Sequence, residues 1–373
     1  MTKRLCQIFP NEQQELLLKT CLFDGDAAIG SWRAWQKLVD VEELDIGSQR
    51  LLPLAYQNLS SLGVEESELE RYRGVARYVW YENQSKLLQV QALLSIFSAA
   101  QIPVILLKGM ALAPLYYKNW ALRPTNDLDI LVPTRLAGEA GALLASSGWR
   151  SPDLDFLKSA AYRTTIHATA FSDGKGHDLD LHWHAVRELC SEDADSSFWE
   201  AAQILRLNGR DALALGDTDQ LFHIIIHATH WDIVAPIRWV ADTAMLLRVA
   251  RIDWDRFLKH VVKGCFVLRA RLVLRYLRDR FHLPIPDWVQ HELDRARSSP
   301  VEALEARIDG MDIPLLMWQV GIRYVHYRRN CESPVAPRTF PSYIRTTWGS
   351  KSWTGTLKAA AIRLPHYIGF PQR

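Results

Sequence analysis

Two aspartates one residue apart, Asp127 and Asp129, have the type and spacing best suited to chemistry in this chain. They open the run Asp-Leu-Asp-Ile-Leu-Val, which predicts a strand. Alternate residues of a strand face the same way, so both carboxylates should project together, roughly 6.6 Å apart along the chain. Neighbouring carboxylates repel each other, and a hard divalent cation such as Mg²⁺ relieves that repulsion. The pattern also suits a solvated face of an edge strand, because Asp-x-Asp is common.

A second alternating segment, residues 177–184, offers a third carboxylate. Its alternation places Asp178, Asp180, His182 and His184 on one face of a predicted strand. Either aspartate could complete a cation site. The histidines are better explained as groups that orient a carboxylate or contact substrate than as ligands. Zinc prefers nitrogen and sulfur ligands, so a face led by aspartates predicts magnesium.

The segment before the aspartates has the composition of a phosphate-binding turn. Residues 102–107 are apolar and branched, which predicts a buried strand, and a helical stretch runs from Met110 to about Asn119. Between them lie Lys108 and Gly109. A glycine permits close approach of a phosphate to the backbone, and a helix start offers unpaired N–H groups. Lys108, Gly109 and Met110 are therefore predicted to bind nucleotide.

In this order the pieces resemble the nucleotidyltransferase superfamily with the DNA polymerase beta-like palm. Residues 102–184 resemble more closely an uncharacterised nucleotidyltransferase family within it. The residues that carry this resemblance are Leu107-Lys108-Gly109, Tyr116, Arg123, Asp127-Leu128-Asp129 and Asp180-Leu181-His182-Trp183. The chain departs from the wider superfamily at Met110, where a second Gly or Ser is usual, and in a longer gap between Gly109 and Asp127.

The resemblance implies an α+β fold, a palm with a small mixed sheet flanked by mainly helical regions. It also implies an NTP donor and Mg²⁺, with two ions when nucleotide is bound. Asp127, Asp129 and Asp180 are implied as the catalytic residues and metal ligands. No clear general base is present, and metal-assisted transfer does not need one.

Arg123, shortly before the acidic strand, is a further predicted nucleotide-binding residue. Either Arg123 or Lys108 could neutralise charge on a leaving pyrophosphate. An ion pair of Arg123 with Asp127 or Asp129 is an almost equally good interpretation.

The C-terminal half contains a histidine cluster, His223, His227 and His230, at a spacing that can chelate zinc. A structural role is favoured, with a place in a pocket wall as the intermediate case. Arg238 and Asp242 lie one helical turn apart, which predicts an intrahelical salt bridge or a helix that closes over the nucleotide. The predicted pocket comprises Tyr116, His182, His227 and Arg238.

Composition describes an ordinary globular enzyme. Of 373 residues, 48% are hydrophobic and 23% charged, and the net charge is only +2, which makes nucleic acid an unexpected partner. Five scattered cysteines indicate a reducing compartment. The sequence has no apolar stretch of the roughly 20 residues that a membrane span needs. These observations predict a cytoplasmic protein without a membrane span.

We expect four regions: a helical region at 1–99, the nucleotidyltransferase palm at 100–190, a helical domain at 191–330 and a basic aromatic tail at 331–373. Residues 323–373 interleave basic and aromatic side chains, which suits single-stranded nucleic acid, an acidic peptide or a membrane surface. The favoured interpretation is that the aromatic side chains pack on the helical domain.

The sequence as a whole predicts a Mg²⁺-dependent enzyme that moves a nucleoside monophosphate from an NTP to an unidentified acceptor. The acceptor would offer a hydroxyl or phosphate and could be a small molecule, a sugar or a peptide in a biosynthetic pathway. The alternative is a catalytically silent module that senses nucleotide or binds a partner. RNA-directed transfer is weakened by the nearly neutral charge.

Overall fold

A mixed β-sheet forms the centre of the molecule. The computed structural model describes residues 8–228, 237–309, 316–330, 337–350, 352–358 and 361. Within these residues the sheet has six strands in the order β3-β4-β2-β1-β6-β5. The strands are β1 (Ile105–Leu106), β2 (Leu128–Leu131), β3 (Ala168–Ser172), β4 (Asp178–His182), β5 (Gln203–Leu207) and β6 (Arg210–Ala214). Helices flank this sheet on the N-terminal and C-terminal sides of the palm, so the predicted α+β class is confirmed.

The central strands have a register that brings the predicted acidic residues together. Strand β2 pairs parallel with β4, and Asp129 lies opposite Asp180. Strand β2 pairs antiparallel with β1, which is shorter than the predicted strand at 102–107. Apolar side chains of β2 and β4 fill one face of the sheet, and because side chains alternate along a strand, both aspartates lie on the other.

A hairpin of β5 and β6 extends the sheet beyond β1, and the sequence analysis missed it. Its turn is Asn208-Gly209, and both residues have positive φ angles, 48° and 83°. Asn-Gly is the preferred sequence for a two-residue hairpin turn of this kind. The hairpin places Leu215 and the helix that follows it beside the central strands.

The helices before β2 are α1 (Glu12–Leu22), α2 (Gly25–Leu38), α3 (Ile46–Gln49), α4 (Leu52–Ser61), α5 (Ser67–Ala99) and α6 (Lys108–Leu112), which continues as a π-helix over Ala113–Tyr117. Between the later strands lie α7 (Ala137–Ser146), α8 (Leu154–Leu157), α9 (Ala160–Arg163) and α10 (Ser196–Glu200). Short 3₁₀ turns occur at Val41–Glu43, before α3, and at Thr134–Leu136, before α7. The long helix α5 lies within the helical region predicted at 1–99.

The C-terminal helices are α11 (Asp217–Ala228), α12 (Arg238–Val249), α13 (Trp254–Gly264), α14 (Val267–Phe281), α15 (Asp287–Arg295), α16 (Pro300–Asp309), α17 (Leu316–Asn330) and α18 (Phe340–Thr347). Helices α13 and α14 are separate, because Cys265 adopts a left-handed conformation with φ of 62° and ends α13.

Two hydrophobic clusters hold the sheet between layers of helices. One covers the face opposite the aspartates and joins Leu106 and Ile130 to Leu87 and Phe97 of α5. The other joins α1 to α5 with the C-terminal helices, and it includes Leu131 beside the acidic residues. This second cluster contains side chains from three of the four predicted regions, so it does not separate them. The predicted domain boundaries stay a prediction.

Part of the predicted tail packs as a small aromatic cluster. Tyr324 and Tyr327 of α17 contact Phe340 and Tyr343 of α18 with ring centroids 4.9–5.3 Å apart. This agrees with the packing interpretation for these residues. Most of the remaining tail, including residues 362–373, lies outside the described residues. In the described parts of the chain, no helix combines the length and apolar character that crossing a membrane requires.

Candidate active site

Three carboxylates meet at the end of β2. Asp129 in β2 and Asp180 in β4 are neighbours across the parallel pair, and Asp127 immediately precedes β2. Asp129 is buried, Asp180 is partly buried and Asp127 is exposed. Oxygen atoms of Asp129 and Asp180 and a ring nitrogen of His182 all lie within 4.8 Å of one another. Asp178, the other candidate from the alternating segment, is exposed and takes no part in this group.

Asp129 is held in its charged form by two basic neighbours. Its Oδ1 accepts from Lys108 Nζ at 2.5 Å and lies 3.0 Å from His182 Nε2. Burial alone would raise the pKa of Asp129, but Lys108 and His182 outweigh it and hold the pKa well below its usual range. The predicted role of His182 in orienting a carboxylate agrees with this contact.

The other two carboxylates show the effect of crowding. Partial desolvation of its carboxyl group and the negative charges of Asp129 and Asp180 raise the pKa of Asp127. Burial and the charge of Asp129 likewise raise the pKa of Asp180. A raised pKa means that the site opposes the full set of negative charges. A divalent cation would remove that opposition.

The donor set fits such a cation. Two carboxylates and an imidazole lie close enough to coordinate a single ion, and carboxylate oxygens outnumber the ring nitrogen. Because ionised Asp129 can only accept, Nε2 of His182 donates to it, and the buried Nδ1 of the ring has no hydrogen-bond partner. Asp129, Asp180 and His182 form the one candidate group of this kind among the residues that the structure describes.

The turn that carries Lys108 is packed against the loop at 120–125. Lys108 has a φ of 46°, an unusual conformation for a residue with a side chain. A Cβ on Gly109 would lie 2.5 Å from Thr125 and 2.8 Å from Arg123 Nη1. The glycine therefore permits close approach of this loop, whereas the sequence analysis predicted close approach of a phosphate. The buried amide of Asn83 fixes the same loop by bonding the backbone of Trp120, Arg123 and Thr125.

Arg123 forms a buried bidentate ion pair with Asp242 of α12. Nε donates to Oδ1 at 2.7 Å and Nη2 to Oδ2 at 2.9 Å, and Tyr117 donates to the same Oδ1 at 2.7 Å. The predicted pairing of Arg123 with an aspartate of the acidic strand is therefore wrong. The predicted salt bridge between Arg238 and Asp242 is wrong too, because Arg123, 119 residues away, takes both carboxylate oxygens.

A cavity of about 340 Å³ opens beside the carboxylates. On the sheet side it is lined by Lys108, Asp127 and Asp129, together with the turn and loop just described. The rest of its lining comes from three helical segments: Arg50, Gln220, His223, Ile224, His227, Arg238, Trp239 and Asp242. Asp127 and Asp129 are the acidic residues of the sheet side, and Arg50 and Arg238 are the arginines of the helical side.

The structure brings together most but not all of the predicted site residues. Lys108, Gly109, Asp127 and Asp129 line the cavity, as do Arg123, His227 and Arg238. Met110 is instead 1% exposed and packs in the hydrophobic cluster behind the sheet. Tyr116 is buried and donates to Asp217 at 2.8 Å. Its burial and that carboxylate raise the pKa of its phenol.

Sequence reasoning missed several cavity residues. Arg50, Gln220 and Trp239 carried no local signal, because each lies far along the chain from the acidic strand. His223 and His227 both line the cavity, with ring centroids 5.9 Å apart. For this pair, the position agrees with the interpretation in which the histidines form part of a pocket wall. His230, the third predicted member of the cluster, lies outside the described residues.

Comparison with known proteins identifies a family. The family model described as an uncharacterised nucleotidyltransferase matches residues 34–282. Six chains of solved structures match, among them the solution structure of the antibiotic-resistance factor ANT(2'')-Ia. That protein is 15% identical in sequence to this chain, with a TM-score of 0.34. The similarity covers 54% of this chain and 97% of that chain. A similarity this distant does not indicate a shared substrate. No curated protein matches the chain.

Proposed function

We propose, from the premise that the chain belongs to the family of uncharacterised nucleotidyltransferases, that it uses Mg²⁺ to move a nucleoside monophosphate from an NTP to an acceptor. The general activity, nucleotide transfer, follows from the family. The cofactor, the donor and the roles of individual residues are the proposal. The observation that carries it is the meeting of Asp127, Asp129 and Asp180 beside a cavity, with two of the three carboxylates raised in pKa.

Asp127, Asp129 and Asp180 would hold the cation, with His182 as a further candidate ligand. When bound, Mg²⁺ supplies charge neutralisation at the phosphates and lowers the pKa of an acceptor oxygen, work that two ions can share. Its binding would relieve the crowding that raises the pKa of Asp127 and of Asp180. A binding module of the kind weighed as the alternative would not need this arrangement of three charges.

The remaining cavity residues divide into binding and positioning groups. Lys108 lines the cavity next to the carboxylates, and we assign its ammonium to the negative charge of the donor phosphates. Arg123 gives its N–H groups to Asp242, so we assign it to positioning the loop at 120–125. Gly109 supports the same loop by allowing it to approach. These assignments leave Lys108 as the cation closest to the reacting groups.

The proposed reaction is a substitution at phosphorus. An acceptor oxygen, from a hydroxyl or a phosphate, bonds to the α-phosphorus of the NTP as the bond to the pyrophosphate oxygen breaks. The proton of a hydroxyl acceptor passes to solvent. The chain's own contribution is to hold the two substrates in line and to balance charge, which are the main sources of rate in phosphoryl-type transfer.

Calorimetric titration with the four NTPs, with and without Mg²⁺, tests this proposal. Asp127→Asn is the variant of choice because Asp127 is exposed and its loss should leave the fold intact. The matched control is Asp178→Asn, an exposed aspartate on the same face of β4 as Asp180. We expect Mg²⁺-dependent binding of at least one NTP that Asp127→Asn weakens about tenfold or more and Asp178→Asn leaves unchanged. Absence of nucleotide binding, or equal binding by both variants, would contradict the proposal.

A further inference from the structure

The basic wall of the cavity forms a second feature, distinct from the carboxylates. Arg50, at the junction of α3 and α4, and Arg238, the first residue of α12, both line the cavity. Arg238 Nη1 donates to the carbonyl of Pro124 at 2.5 Å, which fixes its position. Among the residues that the structure describes, no carboxylate forms an ion pair with either arginine.

The two guanidinium groups repel each other. Burial, then Arg123, then Arg50 lower the pKa of Arg238 to about 10, while Asp242 opposes the shift. Asp242 cannot compensate fully because Arg123 already holds both of its oxygens. The ion pair with Arg123 uses the Asp242 carboxylate, and no other carboxylate is paired with Arg50 or Arg238 among the described residues. An anion would offset the repulsion between like charges that lie together in a partly buried site.

Two buried side chains next to the arginines have hydrogen-bond donors that also need an acceptor. Gln220 is fully buried and lines the cavity, yet its side-chain amide nitrogen and oxygen have no hydrogen-bond partner. Trp239 is 4% exposed and lines the cavity, and its Nε1 also lacks a partner. A buried polar group without a partner costs about 1–3 kcal/mol. An acceptor oxygen supplied by a ligand would satisfy the amide nitrogen of Gln220 and Nε1 of Trp239.

We propose that Arg50 and Arg238, with Gln220 and Trp239 beside them, form a subsite for a phosphate group of a substrate. This inference rests on the proposed function only in calling the phosphate part of a substrate. The subsite itself is argued from the residues that line the cavity. A phosphate offers several acceptor oxygens and negative charge, which matches a wall composed of donors and cations. The cavity volume of about 340 Å³ lies in the range of small-molecule sites.

The phosphate could belong to the acceptor or to the NTP. We assign it to the acceptor, because Lys108 and the carboxylates, which belong to the sheet and its adjoining turn, are already assigned to the donor, whereas Arg50 and Arg238 belong to the helical segments. An acceptor that carries a phosphate would then be held by the helical wall with its reactive group towards the sheet. The class of acceptor implied is a small phosphorylated molecule.

Titration of inorganic phosphate into the full chain, without nucleotide or Mg²⁺, tests the subsite. The variant is Arg50→Gln, because the Arg50 side chain forms no hydrogen bond or ion pair with the described residues and its loss should not disturb the fold. Arg77→Gln is the matched control, since it removes the same charge from an exposed position on α5. We expect Arg50→Gln to weaken phosphate binding about tenfold or more and Arg77→Gln to leave it unchanged.

A second titration, at saturating NTP and Mg²⁺, identifies the source of the phosphate. Retained phosphate binding that still depends on Arg50 supports the acceptor. If NTP displaces phosphate and Arg50→Gln weakens NTP binding, the subsite is supported, but it binds a phosphate of the donor. Absence of phosphate binding to the wild type, or equal binding by both variants, overturns the subsite. Loss of NTP binding alone would overturn the proposed function and leave the phosphate result standing.

Discussion

Replacement of Asp180 by asparagine should stabilise the protein when no metal is present. Burial and the charge of Asp129 raise the pKa of Asp180, so its ionised form is disfavoured in the folded state. Asparagine has the same shape without the charge. An active-site residue that weakens the fold is expected where charges are gathered for a ligand.

The size of the effect follows from the geometry. Ligand atoms of Asp129 and Asp180 lie within 4.8 Å, and two unit charges at that distance repel by about 3.5 kcal/mol at an effective dielectric of about 20. Lys108 and His182 offset part of this repulsion, and Asp180 is partly exposed to solvent. A net gain on the order of 1 kcal/mol in the free energy of unfolding remains.

The pH dependence gives the sign of the effect independently. Because the pKa of Asp180 is higher in the folded than in the unfolded state, the folded protein binds the proton more tightly. The penalty is therefore complete above the folded-state pKa and disappears below the unfolded-state pKa. The advantage of Asp180→Asn should be largest at neutral pH and smaller at about pH 4, near the ordinary pKa of an aspartate.

Urea denaturation in the presence of a chelator measures this difference at both pH values. Asp178→Asn, exposed on the same strand face, should change stability by less than about 0.5 kcal/mol. Added Mg²⁺ should stabilise the wild type and stabilise Asp180→Asn less, because the variant has lost a ligand. A variant that is less stable than the wild type at neutral pH without metal would refute the reasoning from charge crowding.

Two further predictions concern the loop that borders the cavity. Arg123→Gln should lower the free energy of unfolding by about 3–5 kcal/mol, because Asp242 remains buried without its cation. A double-mutant cycle with Asp242→Asn in urea checks this, and additive effects would show that the pair is not coupled. Gly109→Ala should cost about 1–3 kcal/mol because its Cβ would lie 2.5 Å from Thr125. Thermal unfolding should show partial recovery in a double variant with Thr125→Ala, and an unchanged stability of Gly109→Ala alone would contradict the contact.

The acidic strands could be predicted because their signals are local. Alternation within a few residues identifies a strand face, so spacing predicted that Asp127 and Asp129 project together, and the flanking segment and the family resemblance favoured them as site residues. The same pattern could not decide between Asp178 and Asp180. That choice depends on the register of β4 against β2, which places Asp180 opposite Asp129. Register is a property of the assembled sheet and has no signal within β4 itself.

Long-range partners account for most of what was missed. The partner of Arg123 is Asp242, 119 residues along the chain, while a nearer carboxylate seemed the simpler choice. Arg50 is in a helical region that precedes the palm, and nothing in its neighbours marks it as a cavity residue. The hairpin at 203–214 is different, because its Asn208-Gly209 turn was a local signal that went unused.

The most direct test of the central claim is to locate the cation. Crystals of the protein grown with Mn²⁺ and a non-hydrolysable NTP analogue would show the ion by its anomalous scattering. The account predicts an ion bound by oxygen atoms of Asp129 and Asp180, with Asp127 beside it. Bound nucleotide with no ion at these carboxylates, or an ion held by His223 and His227 instead, would contradict it.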